Sequence, residues 1–203
     1  MYTAKINRNE NTEELHEFIQ ANGFAILVSN VEGKPWATHL PLLLSRDKKK
    51  LLGHIAKGNK QWKEWSVDTE VLAIFQGPHA YISSSWYDHE NVSTWNYLAV
   101  HAYGKLKIQT EQELLNSLKE LTDKYEKQSE KPVSVDRMNP QYVKREMLGI
   151  VGFEIEISKM EATYKLSQNR DAKNHEVIVN ELEKRNDPGS TAIAIEMKKA
   201  GHS

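Results

Sequence analysis

The sequence contains no cysteine, which excludes disulfides, thiolate metal ligands and cysteine nucleophiles and fits a reducing compartment. It also lacks an excess of either charge: 27 basic residues stand against 28 acidic ones, for a formal net charge of -1. No global positive field draws such a chain onto nucleic acid or an anionic membrane, so any such contact needs a local patch. No apolar run approaches the roughly 20 residues of a membrane-spanning helix. The opening MYTAKINRNENTEELHEF has no apolar core of the signal-peptide kind. A cytoplasmic protein without membrane contact is expected. Familiar catalytic strings are missing too: there is no glycine-rich phosphate loop, no HExxH, no GxSxG and no zinc spacing. The 8 histidines are scattered, with no i, i+4 pair on a helix to suggest a metal site.

What is present is a run of short strands followed by helices. Asn11 or Thr12 can cap a first helix, with Glu13 and Glu14 in its positive first turn and Leu15, Phe18 and Ile19 as its apolar stripe. FAILVSN and PWATHLPLLLS, separated by the turn NVEGK, read as a hairpin whose second strand carries Pro35 and Pro41 and so lies at an edge or bears a bulge. KLLGHIA is a third strand, and KGNKQWKEW a loop entering a short helix. VLAIFQG is a fourth strand, with HAYISSSWY as its continuation or return.

In TWNYLAVHAYG, alternation puts Trp95, Tyr97, Ala99, His101 and Tyr103 on one face and Asn96, Leu98, Val100 and Ala102 on the other. Each face is mostly apolar but carries one polar group, Asn96 or His101, that needs a partner if buried. Beyond Thr110 the period changes to about 3.6: a helix capped by Thr110 and Glu113 as a capping box is expected. A short helix begun by Pro140, a long strand through IVGFEIEISKMEATYKL and a pair of C-terminal helices around DPG complete the reading. The expectation is one largely antiparallel β-barrel or α+β domain over 1–203, with a helical appendage at 171–203.

Four groups could carry chemistry. Lys57, Gly58, Asn59 and Lys60 form either a phosphate-binding strand-to-helix turn or a solvated turn with Asn59 as cap. His39, His54 and His101 recur in apolar strands and are either satisfied core residues or the lining of one pocket. Lys165, Gln168, Asn169 and Arg170 in YKLSQNR could hold an anion or a planar polar ring through charge-assisted hydrogen bonds, or simply wind a polar turn. The tryptophans at 62, 65, 86 and 95 are core residues or stacking surfaces.

The segments GHIAKGNKQW, SSWY, TWNYLAVHAYG and GIVGFEIEISKMEATYKLSQNR, in this order and at these separations, resemble the PaiB family of negative regulators of protease synthesis and sporulation, over nearly the whole chain. That family is placed in the FMN-binding split-barrel superfamily, akin to pyridoxine phosphate oxidase, in which homodimers bind flavin at the subunit interface. The resemblance implies a mainly β fold, an antiparallel Greek-key barrel with flanking helices, a homodimer and FMN. It places Thr38, His39 and Leu40 along the ring edge and His54, Lys57, Asn59 and Lys60 near the phosphate. Trp95, Asn96 and His101 would lie close by, and Lys165, Gln168 and Arg170 would close the site. The oxidase's own phosphate motif is absent.

Ser84 and Ser93 stand where the family usually has proline, which loosens the loop without removing a functional side chain. The implied function is transcriptional regulation, with a flavin-dependent oxidoreductase as the alternative and a flavin sensor uniting the two. DNA contact, if direct, would draw on Lys48, Lys49 and Lys50 or on Lys184, Arg185, Lys198 and Lys199.

Overall fold

The computed structural model describes residues 1–66 and 69–201. A two-residue strand β1 (Arg8–Asn9) precedes helix α1 (Thr12–Ala21). Asn11 starts the helix, because its side-chain oxygen accepts from the N–H groups of Glu13 and Glu14, satisfying donors that have no partner inside the helix. The hairpin forms from β2 (Phe24–Val31) and β3 (Lys34–Pro41), in register from Phe24 opposite Pro41 to Val31 opposite Lys34, its second strand ending at Pro41 rather than running on through LLLS. Glu32 and Gly33 both have positive φ, 52° and 73°, as a two-residue type I′ turn requires. The short β4 (Leu43–Leu44) pairs with β5 (Lys50–Ala56).

The expected short helix after Asn59 is a single 3-10 turn, Lys60–Glu64. Strand β6 (Glu70–Ile82) runs unbroken through the point where continuation or return was open. Strand β7 (Thr94–Ile108) follows, then helix α2 (Glu111–Glu126) with its Thr110/Glu113 capping box intact. Helix α3 (Pro140–Met147) is capped by Asn139, and β8 (Ile150–Lys165) is the longest strand. The C-terminal pair is α4 (Ala172–Arg185) and α5 (Pro188–Ala200). Here the DPG segment is a helix start, with Asp187 as cap and Pro188 in the first turn, where proline's missing N–H costs nothing.

The strands form one antiparallel sheet in the order β3-β2-β6-β7-β8-β5-β4, with β1 added to β8. Strand β3 is at the end of this order, which accommodates Pro35 and Pro41. The chain divides into two compact units. The first takes the described residues of Met1–Phe18, Phe75–His101 and Glu161–Ser203, and its core is built on Phe75, Ile82, Ile178, Leu182 and Ile193, all essentially without solvent exposure. The second takes those of Ile19–Ile74 and Ala102–Met160, with Leu27, Leu42, Leu51, Phe153 and Ile155 as its center and Trp65 edge-on to Phe153 at 5.0 Å. Gly104 permits the closest backbone approach in this unit: a Cβ there would lie 2.2 Å from the carbonyl oxygen of Glu156. No described helix is long and apolar enough to cross a membrane.

Candidate functional site

In the first unit, the YKLSQNR segment winds into a tight turn at the end of β8. Ser167 sits at φ 59°, a left-handed conformation that a non-glycine residue holds only when its surroundings fix it. Those surroundings are explicit. The Gln168 side chain accepts from the Leu166 N–H at 2.8 Å and donates to the Tyr164 carbonyl, and the Arg170 N–H donates to the Ser167 carbonyl at 3.1 Å. The Ser167 hydroxyl donates to Asn96 at 3.1 Å. Asn96 is fully buried, and its amide nitrogen lies 3.4 Å from the Met197 sulfur. The polar residue on the buried face of β7 is therefore satisfied by another part of the chain.

With Gln168 spent on the turn itself, Lys165, Asn169 and Arg170 are left to line a pocket of about 270 Å³, together with Thr94 and Ser167. Ala4, Ile6 and Asn7 form another wall, held in place by β1, whose Arg8 and Asn9 pair with Thr163 and Ala162. Lys165 donates to the Thr94 hydroxyl. Burial, and then the Arg170 charge, push its amine below its ordinary value. The Arg170 guanidinium lies 5.0 Å from the Tyr87 ring centroid, while its Nε and the Tyr87 hydroxyl are buried without a hydrogen-bond partner. No carboxylate is among the described lining residues. Two cations and no described carboxylate around one small cavity favor an anion, which would relieve the repulsion between them.

The rest of the first unit's candidates face differently. Trp95 is 52% exposed and forms an aromatic surface with Tyr81 at 5.8 Å and His79 at 6.0 Å. His101 is half-buried, with an unpartnered Nδ1. Burial chiefly, helped by the N-terminal ammonium, lowers its pKa against the opposing pull of Glu161. The loop after SSWY is pinned to α4 by Asp88, which accepts from Lys173 at 2.7 Å and Asn174 at 3.0 Å. Together with a contact from His89, these hold its carboxyl well below the usual carboxylate range.

In the second unit, Thr38 donates to Gln61 at 2.6 Å and accepts from Asn59 at 2.9 Å. Gln61, fully buried, donates to the Leu27 carbonyl at 3.2 Å and to Ser29 at 3.0 Å. Asn59 in turn accepts from the Gln61 N–H at 2.9 Å, so its side chain caps the 3-10 turn. A five-residue turn whose leading N–H is already capped presents no array of free donors, which removes the helix-terminus argument for a phosphate there. Lys57 and Lys60 are exposed, Leu40 is buried, and His54 is half-buried with its pKa lowered by burial. His39 lies exposed on the edge strand, stacked on Phe24 at 6.3 Å.

Gln61, Tyr87 and Thr94 were not singled out from the sequence. Nothing local marks them, because their roles come from partners distant in the chain.

Across residues 1–159 the chain matches the family model described as "Putative FMN-binding domain". It is 43% identical over 196 residues to "Protease synthase and sporulation protein PAI 2" of Bacillus subtilis, covering 96% of this chain and 95% of that one. The chain belongs to the PaiB family. Among solved structures, its fold is similar to the FAD and heme binding protein from Mycobacterium smegmatis, with TM-score 0.63 and 13% identity over 84% of this chain and 78% of that one. It is also similar to the flavocytochrome Anf3 from Azotobacter vinelandii, with TM-score 0.64 and 13% identity over 86% and 78%. As in these neighbors, the fold of this PaiB-family chain is an antiparallel split barrel with flanking helices. The family model ends before Lys165 and Arg170.

Proposed function

We propose that this chain is a PaiB-type regulator of protease synthesis and sporulation whose split barrel binds FMN, with Lys165 and Arg170 receiving the cofactor's phosphate. The observation that carries this reading is the pocket lined, among the described residues, by two cations and no carboxylate. Its volume, about 270 Å³, is below the roughly 300 to 1,000 Å³ of a whole-ligand site and suits one anionic end of a larger molecule. Charge-assisted bonds of about 1.5 to 3 kcal/mol each would hold it there. The flavin supplies the redox chemistry when bound, and this chain's residues bind and orient it. In this reading the assembly is a cytoplasmic homodimer. Trp95, in the same unit as the pocket, offers an aromatic surface.

Operator contact through the C-terminal helices has little support. Lys184, Lys198 and Lys199 pair with Glu181, Glu183 and Glu196, and Arg185 donates to the Tyr81 carbonyl and lies over Trp86 at 4.5 Å. That occupation of the basic groups favors regulation through flavin binding, and it keeps a flavin-dependent oxidoreductase acting on a small molecule as the second reading. A mobility shift on DNA that weakens steeply with salt would point back to operator binding.

The test is a flavin fluorescence titration with FMN, and with riboflavin as the phosphate-free control. FMN should bind more tightly than riboflavin, and Arg170→Ala should erase most of that preference. Equal affinity for the two flavins in the unmodified protein would overturn the phosphate assignment.

A further inference from the structure

A second pocket, of about 500 Å³, lies entirely within the second unit and involves none of the flavin candidates. Its walls are two helix faces. Helix α2 contributes Glu111, Leu115 and Lys119, spaced by four residues, and α3 contributes Pro140, Val143, Lys144 and Met147 at helical spacing. Val135 and Met138, from the connection between the helices, complete an apolar lining.

The charges on this lining are unequally satisfied. Lys119 and Asp136 pair with each other at 2.5 Å, so that end of the groove is closed by its own ion pair. Glu111 and Lys144 are exposed at the pocket and have no ion-pair partner among the described residues. The methionines adapt their shape to different apolar groups. A volume of this size accepts a whole small molecule, and its free charges ask for one ammonium and one carboxylate.

We propose that this pocket binds a small zwitterion with an apolar body, of the size and chemistry of an apolar dipeptide. The ammonium pairs with Glu111, the carboxylate pairs with Lys144, and the side chains lie against Leu115, Val143 and Met147.

Calorimetric titration of the full chain with Leu-Phe, N-acetyl-Leu-Phe and Leu-Phe amide tests this directly. Leu-Phe should bind at least about tenfold more tightly than either blocked form, the loss expected for one charge-assisted contact. Glu111→Gln should abolish the preference over the acetylated peptide, and Lys144→Met the preference over the amide. Leu115→Trp should fill the pocket and abolish all binding; if that variant does not fold, the two surface variants decide alone. Failure of Leu-Phe to bind at millimolar concentration, equal affinity for either blocked form, or indifference to both charge variants would each overturn the proposal.

Discussion

The two clusters of candidate residues differ in how their polar atoms are satisfied. In the second unit, Thr38, Asn59, Gln61 and Ser29 bond to one another and to the Leu27 carbonyl. In the first unit, Lys165 and Arg170 line one cavity that carries no described carboxylate, and the Arg170 charge lowers the Lys165 pKa after burial has done so. A completed buried network rigidifies a fold, whereas like charges around an open cavity repel each other until an anion binds. The contrast separates residues that hold the barrel together from residues arranged for something outside it.

The largest expected effect attacks the completed network. Gln61→Ala should lower stability by about 3 kcal/mol, because it strands several buried partners and leaves a void. It should appear as a reduced urea midpoint at unchanged slope. A loss below about 1 kcal/mol would mean that water replaces the amide and that the network is not structural.

Asn96→Ala should cost less, about 1 to 2 kcal/mol, since one hydrogen bond to Ser167 is lost. Its more telling consequence is on binding. Freed from Asn96, the strained Ser167 turn should relax and FMN affinity should fall, although Asn96 does not line the pocket. Unchanged affinity would show that the Gln168 brace is sufficient.

Arg170→Ala should leave the unfolding free energy from urea titration within about 0.5 kcal/mol of the parent, because an unsatisfied donor and a like charge disappear together. The Lys165 amine should then titrate closer to its ordinary value, measurable by NMR. In the unmodified protein, anion binding should weaken as pH rises through the lowered Lys165 pKa, where the ammonium is lost. A marked loss of stability in Arg170→Ala would move this residue into the structural class.

The smallest effect is on the pH profile. His54 and His101 have folded pKa values below the ordinary 6.5, so the unfolded chain takes up protons first as pH falls. Stability should therefore be fully present above about pH 6.5 and decline as the pH drops toward the folded values. Replacing both by Gln should flatten that decline; an unchanged slope would show that other groups set it.

Much of the architecture was legible locally. The Thr110/Glu113 capping box, the Asn139–Pro140 helix start and the VEGK turn each depend on residues within a few positions of one another, where side-chain chemistry and backbone geometry act directly. The KLSQNR cluster was legible as an anion-binding possibility for the same reason. The 3-10 turn after Asn59 and the helical start at Pro188 were read differently, because propensity does not distinguish short turns from helix ends.

By itself, then, the sequence determined the strands β2, β5, β7 and β8, most helix ends, the absence of thiol chemistry and the identity of the charged groups near the end of β8. Only the tertiary structure decided that Asn96 is answered by Ser167, 71 residues away, that Ala4, Ile6 and Asn7 wall the Lys165–Arg170 pocket, and that Gln61 is a hub. The reason is physical: periodicity and capping are short-range and visible in any window of the chain, whereas a buried polar group's partner is chosen by how distant segments pack.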